Sequence, residues 1–138
     1  CHSKPVNLSN SYCIGLEHNQ VISLGGSLLT ILHTPGHFID SICIWNKEFD
    51  MLFTGDTVFI GRTGRTVSSK SSIEDLYNSI YDIILKLPHN TTIYPGHHYG
   101  FSESAELIFN IKNSHFFQCK NLDDFKLVMQ DFEQNRKK

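Results

Sequence analysis

The hydrophobic pattern changes period partway along the chain. Short apolar runs come first, and repeats of three and four residues follow. Val21–Leu24 predicts a short strand, Gly25-Gly26 a hairpin turn, and Ser27–His33 (SLLTILH) a second strand. Pro35-Gly36 breaks any regular element, so residues 33–37 read as a loop. Residues 41–45 alternate as a strand, with Ile42 and Ile44 on one face and Cys43 and Trp45 on the other. A polar turn at 47–50 leads into an apolar strand, Met51-Leu52-Phe53, which runs into Thr54-Gly55-Asp56. Residues 58–60 extend a strand, and residues 61–70 form a loop rich in Gly, Thr, Ser and Arg.

A helical period begins near Ser72. Ser71 and Glu74 have the spacing of a capping box, which makes Ser71 the predicted N-cap. Ile73, Leu76, Tyr77, Ile80, Ile84 and Leu87 then form one apolar stripe that needs a sheet to cover, and Pro88 ends it. Residues 91–94 read as a strand, with Pro95-Gly96-His97-His98 as a loop at its end. A short helix is predicted over residues 103–112. A last helix follows the capping residue Asn121, with Phe125, Met129 and Phe132 on one side and Arg136, Lys137 and Lys138 near its C-terminal dipole. The fold class expected is α/β (α+β), a mixed sheet packed under helices.

Composition narrows the function. The chain has 138 residues, 40% of them hydrophobic and 19% charged, which suits one packed domain rather than a disordered segment. A net charge of −2, with no basic patch, gives no indication of a nucleic-acid partner. No apolar run reaches the length of a membrane span, and residues 1–5 lack the apolar core of a signal peptide. The four cysteines, Cys1, Cys13, Cys43 and Cys119, form no Cys-x-x-Cys pair and match no zinc-finger spacing. They read as reduced thiols in a cytoplasmic protein.

The eight histidines are unevenly spread, and two of them fall in a pattern with an aspartate. His37, Asp56 and His97 each follow a predicted strand, and each is preceded directly by glycine. Glycine there permits a tight turn, so the next side chain projects from the strand end. Imidazole and carboxylate together suit zinc, iron or manganese, and a carboxylate can bridge two cations where one imidazole cannot.

Leu32-His33-Thr34-Pro35-Gly36-His37, Phe53-Thr54-Gly55-Asp56-Thr57 and Ile93-Tyr94-Pro95-Gly96-His97, in that order and spacing, resemble the metallo-β-lactamase superfamily over roughly residues 20–100. The glyoxalase II-like (hydroxyacylglutathione hydrolase-like) and persulfide dioxygenase-like branches are the most similar. The resemblance implies the C-terminal part of an αββα sandwich, with residues 113–138 as its helical tail. It implies that His37 binds a first metal, Asp56 bridges two, and His97 binds the second. His33 and His98 would hydrogen bond beside the ligands. The cofactors implied are two divalent ions, Zn2+ first, with Fe2+ or Mn2+ as alternatives. The reaction implied is attack of a metal-bound hydroxide on a small-molecule thioester such as a hydroxyacylglutathione. Arg62 and Arg65 would meet an anionic group such as the glutathione carboxylate. The second reading is a mononuclear iron enzyme of the persulfide dioxygenase type, its iron held by His37, Asp56 and an upstream histidine. A third is a non-catalytic module.

The chain departs from the family in three ways. Val67 stands where relatives often carry an acidic residue, the tail is shorter than glyoxalase II's glutathione-binding extension, and the first motif, His-x-His-x-Asp-His, does not occur in the 138 residues. The expectation is N-terminal truncation of a longer parent. The three motifs alone provide two donors per ion, against the three usual at catalytic zinc. The 138-residue chain by itself is therefore expected to bind zinc weakly and to show no hydrolase activity. Equilibrium dialysis checks this, and tight stoichiometric zinc would contradict it.

Overall fold

The computed structural model describes residues 14–135. Cys1, Cys13, His2 and the basic residues Arg136, Lys137 and Lys138 lie outside the described residues. Eight strands and three α-helices are present among the described residues. The strands are β1 (Val21–Leu24), β2 (Ser27–His33), β3 (Ile42–Asn46), β4 (Met51–Gly55), β5 (Val58–Phe59), β6 (Arg62–Thr63), β7 (Thr92–Pro95) and β8 (Ala105–Glu106). The helices are α1 (Ile73–Asn78), α2 (Leu107–Asn113) and α3 (Leu122–Gln134).

Six strands form a mixed sheet in the order β1-β2-β3-β4-β7-β8, and β5 and β6 pair separately. β1 through β4 are joined as antiparallel neighbours, while β7 returns parallel to β4. A parallel pair needs a crossover, and α1 with its extension provides it. β3 starts and ends one residue later than its alternation predicts, because the ladder pairs Asn46 with Met51 across the turn. β6 lies inside the segment expected to be all loop. Two residues are too few to show periodicity, so the pairing of Val58 with Thr63 and of Phe59 with Arg62 is what defines it.

The helical stripe is confirmed, but its regularity is not. The N-cap is Ser72, whose Oγ accepts from the Asp75 N–H at 3.1 Å, whereas Ser71 Oγ donates to the Ser68 carbonyl. After Asn78 the coil widens to a π-helix over Ser79–Ile83 and then tightens to a 3-10 turn at Ile84–Lys86. At the start of the wide turn, Ser79 Oγ donates to the Pro35 carbonyl at 2.6 Å, which ties the helix to the loop carrying His37. Leu76, Ile80 and Ile84 remain fully buried. The helix predicted over 103–112 begins later. Ala105 and Glu106 pair with Ile93 and Thr92 as the edge strand β8. The first amides of α2 then donate to the Thr91 and His89 carbonyls, in place of a capping side chain. α3 starts as expected, Asn121 Oδ1 accepting from the Asp124 N–H.

The core lies between one sheet face and the helices. Leu32, Cys43, Leu52 and Ile93 from the strands meet Leu76, Ile80, Ile84, Phe125 and Met129 from the helices. Phe125 also packs edge-on against Tyr77 and Tyr81. On the other face the register aligns Ile44, Phe53 and Tyr94, and Phe53 is 41% exposed. The described residues thus form one helical layer on one mixed sheet, which is an α/β fold. Among them no helix is long and apolar enough to cross a membrane.

Cys43 sits at the centre of this layer, beside Thr34 Oγ1 at 3.3 Å. Burial pushes its thiol up from the ordinary value of 9.0 to about 11, with hydrogen bonds from Thr34 and Thr57 pulling slightly the other way. Below pH 9 both folded and unfolded thiols are protonated, so the contribution is fully present. Between pH 9 and about 11 only the unfolded chain releases its proton, and stability falls. The loss expected is at most ~3 kcal/mol. Urea unfolding from pH 8 to 11 should show a steeper decline for the wild type than for Cys43→Val. Parallel declines would contradict this.

Candidate metal centre

Strand direction brings the three candidate donors together. β2 and β4 are both antiparallel to β3 and so run the same way, and β7 is parallel to β4. The C-terminal ends of β2, β4 and β7 therefore lie on one sheet edge. The loops leaving that edge carry His37, Asp56 and His97. Asp56 and His97 come from adjacent strands, and His37 arrives from two strands away through its longer loop.

Asp56 is the shared partner. Its Oδ1 accepts from His97 Nδ1 at 2.6 Å, and its Oδ2 lies 3.8 Å from His37 Nε2. His37 Nδ1 is 2.8 Å from the Arg65 carbonyl. A carbonyl only accepts, so Nδ1 carries the hydrogen and Nε2 holds the lone pair towards Asp56. The same reasoning at His97 places the hydrogen on Nδ1, where it meets the carboxylate, and leaves Nε2 as the bare nitrogen. Both imidazoles are thus held in a tautomer with one nitrogen ready for a cation.

Two glycines make the approach possible. A Cβ at Gly64 would fall on the Asp56 carbonyl oxygen and within 3.1 Å of the His37 ring. A Cβ at Gly96 would lie 2.9 Å from Asp56 Oδ1. The donor chemistry fits a divalent ion between His37 Nε2 and Asp56 Oδ2, while at His97 it is Nδ1 that faces Asp56 and Nε2 that faces away. Among the described residues, no group of three or more His, Cys, Asp or Glu side chains stands close enough to hold an ion.

The other expected residues divide. His33 Nε2 bonds the Ile39 carbonyl at 2.9 Å, and its N–H donates to His18 Nδ1. It braces the loop that carries His37. His98 is exposed, with no hydrogen bond or ion pair among the described residues. Arg65 contributes its backbone carbonyl to His37 and borders a cavity that also adjoins His37 and Asp56. Arg62 lines the same cavity, its guanidinium 4.7 Å from the Tyr99 ring centre and 5.8 Å from that of Phe132. Buried Asn110 holds the β5–β6 hairpin that presents Arg62, donating to the Phe59 carbonyl and accepting from the Gly61 N–H.

Residues missed in the sequence are Tyr99, Phe59, Phe132 and Glu133. Tyr99 had a signal: it lies two residues beyond His97 on the same strand-end loop, and its ring stacks on His97 at 5.3 Å. Phe132 reads as a core residue of α3, and only packing shows that it borders the cavity.

Carboxylate and imidazole donors on one edge of a mixed sheet, under a single helical layer, define an α/β protein with a candidate metal centre. A family model described as the metallo-beta-lactamase superfamily matches residues 14–97. The chain belongs to the metallo-beta-lactamase superfamily. It is 35% identical over 112 residues to the probable polyketide biosynthesis zinc-dependent hydrolase BaeB of Bacillus velezensis, covering 81% of this chain and 49% of that protein. It is 37% identical over 90 residues to the hydroxyacylglutathione hydrolase of Dictyostelium discoideum, covering 61% of this chain and 33% of that one. The crystal structure of ETHE1 from Myxococcus xanthus superposes with a TM-score of 0.82 at 26% identity, covering 97% of this chain and 58% of that one. The chain spans half or less of the length of these two curated relatives.

The cradle around Asp56 gives a direct test. Gly64→Ala is expected to cost at least ~2 kcal/mol of stability, because backbone rather than a flexible side-chain end opposes the new methyl. Urea unfolding measures it, and a change below ~0.5 kcal/mol, the usual size for a surface substitution, would show that the cradle yields.

Proposed function

We propose that this chain carries part of the active centre of a metal-dependent hydrolase acting on a small thioester such as a hydroxyacylglutathione. The observation that supports this reading is Asp56 set between two imidazoles, its two oxygens addressing one each. His37 and Asp56 would hold one divalent ion, and Asp56 and His97 would hold a second. Zinc is favoured because it is the metal in the name of the BaeB relative. Bound there, such ions supply Lewis acidity and lower the pKa of water to about 7.

The chain's own residues do the positioning. The Arg65 carbonyl keeps His37 in the tautomer that presents Nε2. Asp56 accepts from His97 and faces His37, and so joins the two imidazoles in one cluster. Arg62 and Arg65 border the adjoining cavity and receive the substrate's carboxylate. Tyr99 and Phe132 wall that cavity with rings and limit water around the bound group. Two donors per ion fall short of the usual three, so further ligands would come from outside the described residues. We read residues 113–138 as part of the same domain, and within the described residues the packing of Phe125 of α3 on Tyr77 and Tyr81 supports this. The free thiols of Cys43 and Cys119 agree with a reducing compartment such as the cytoplasm.

The second reading is a mononuclear iron enzyme of the persulfide dioxygenase type. One observation favours it. The 2.6 Å hydrogen bond from His97 to Asp56 leaves a single position, between His37 and Asp56, where neither partner is already engaged by the other.

Hydrolysis of a hydroxyacylglutathione by the intact protein decides between them. Chelation should abolish the activity and zinc restore it. His37→Ala, Asp56→Ala and His97→Ala should each lower kcat at least ~100-fold, as removal of residues that act as one catalytic unit does. Absence of metal-dependent hydrolysis of any thioester, lactone or phosphoester sinks the hydrolase reading. One iron per chain in that case supports the second.

A further inference from the structure

We propose that Glu133, on the last turn of α3, is a positioning residue for His37 and acts through a single peptide unit. The proposal rests on the reading of His37 as a metal ligand. The Arg65 carbonyl and the Thr66 N–H belong to the same peptide bond, and both ends of that bond are engaged. Its carbonyl accepts from His37 Nδ1 at 2.8 Å. Its N–H donates to Glu133 Oε1 at 2.8 Å, and Thr66 Oγ1 donates to the same oxygen at 3.1 Å.

The physical consequence follows from planarity. The peptide is rigid, so fixing the direction of its N–H fixes the direction of its C=O. Glu133 therefore aims the Arg65 carbonyl at His37. A carboxylate at the N–H end also polarises the amide and strengthens its carbonyl as an acceptor. If the peptide plane turns, His37 loses the acceptor that holds the hydrogen on Nδ1, and Nε2 is no longer held as the bare nitrogen.

Two further observations favour a site role over an ordinary surface contact. Glu133 is a half-buried acid in the last turn of a helix that has no basic residue there, a position the helix dipole disfavours. Its neighbour Phe132 lines the cavity beside His37 and Asp56. The end of α3 is thus part of the wall of the centre, joined to it 67 positions away in sequence.

The test uses the 138-residue chain labelled with nitrogen-15 and freed of metal, with the His37 imidazole signals as readout. The wild type should show the Nδ1–H tautomer with slow solvent exchange. Glu133→Ala should speed that exchange about fivefold or more, the loss of one hydrogen bond to a charged group. Glu133→Asp, which withdraws the carboxylate while keeping charge and helix, should act in the same direction and serves where the alanine variant does not fold. Glu133→Gln keeps Oε1 as an acceptor and should preserve the wild-type signals. Unchanged His37 signals in both the alanine and aspartate variants overturn the proposal. Zinc affinity of the intact protein separates this from the underlying reading. Glu133→Ala should weaken zinc about tenfold, as loss of a ligand's supporting hydrogen bond does. If His37→Ala leaves zinc affinity unchanged, the metal reading fails while the peptide positioning stands.

Discussion

The parallel pairing of β4 with β7 is the constraint from which the rest of the site follows. It places the ends of two strands, 40 residues apart in the chain, side by side, with Phe53 opposite Tyr94 and Gly55 opposite Pro95. Asp56, one residue on, and His97, two residues on, then emerge within hydrogen-bond reach. The same pairing requires the chain to leave the sheet and return, and that excursion carries the β5–β6 hairpin and α1. One topological requirement therefore supplies the donors, the hairpin that flanks them and the helix that buries the sheet.

The excursion also returns contacts to the loops it left. α1 is tied to the His37 loop twice, by Ser72 N–H to the Gly36 carbonyl at 2.8 Å and by Ser79 Oγ to the Pro35 carbonyl. α3 is tied to the segment after β6 by Glu133. The His37 loop and the peptide that holds its ring are thus supported from the helical layer as well as from the sheet. Close approach is what makes this geometry demanding. Gly64 and Gly96 lie where a methyl group would displace Asp56, so the centre depends on what those positions lack.

Asp56 is both the strength and the limit of the described site. It brings two imidazoles into one cluster, yet among the described residues no three donor side chains stand close enough to hold an ion. The chain spans half or less of the length of the curated relatives compared, and the open face of the sheet carries Phe53 at 41% exposure.

Local sequence determined a good deal by itself. The hairpin at Gly25-Gly26, the strands β1, β2 and β4, the apolar stripe of Leu76, Ile80 and Ile84, and the Asn121 cap were legible because each depends on near neighbours and a fixed period. So was the placement of His37, Asp56 and His97 beyond strand ends, since a glycine before each is itself a local pattern. The chain did not reveal which serine caps α1, the widening at Ser79–Ile83, the two-residue strands β6 and β8, or the roles of Tyr99, Phe132 and Glu133. Each of those depends on a partner remote in sequence. Ser79 meets Pro35, β8 is defined by β7, and Glu133 meets the peptide that holds His37. Periodicity records which face a residue turns, not which distant backbone group awaits it there. The tertiary structure alone decided that the same carboxylate would receive two histidines, and that the last helix would end against their loop.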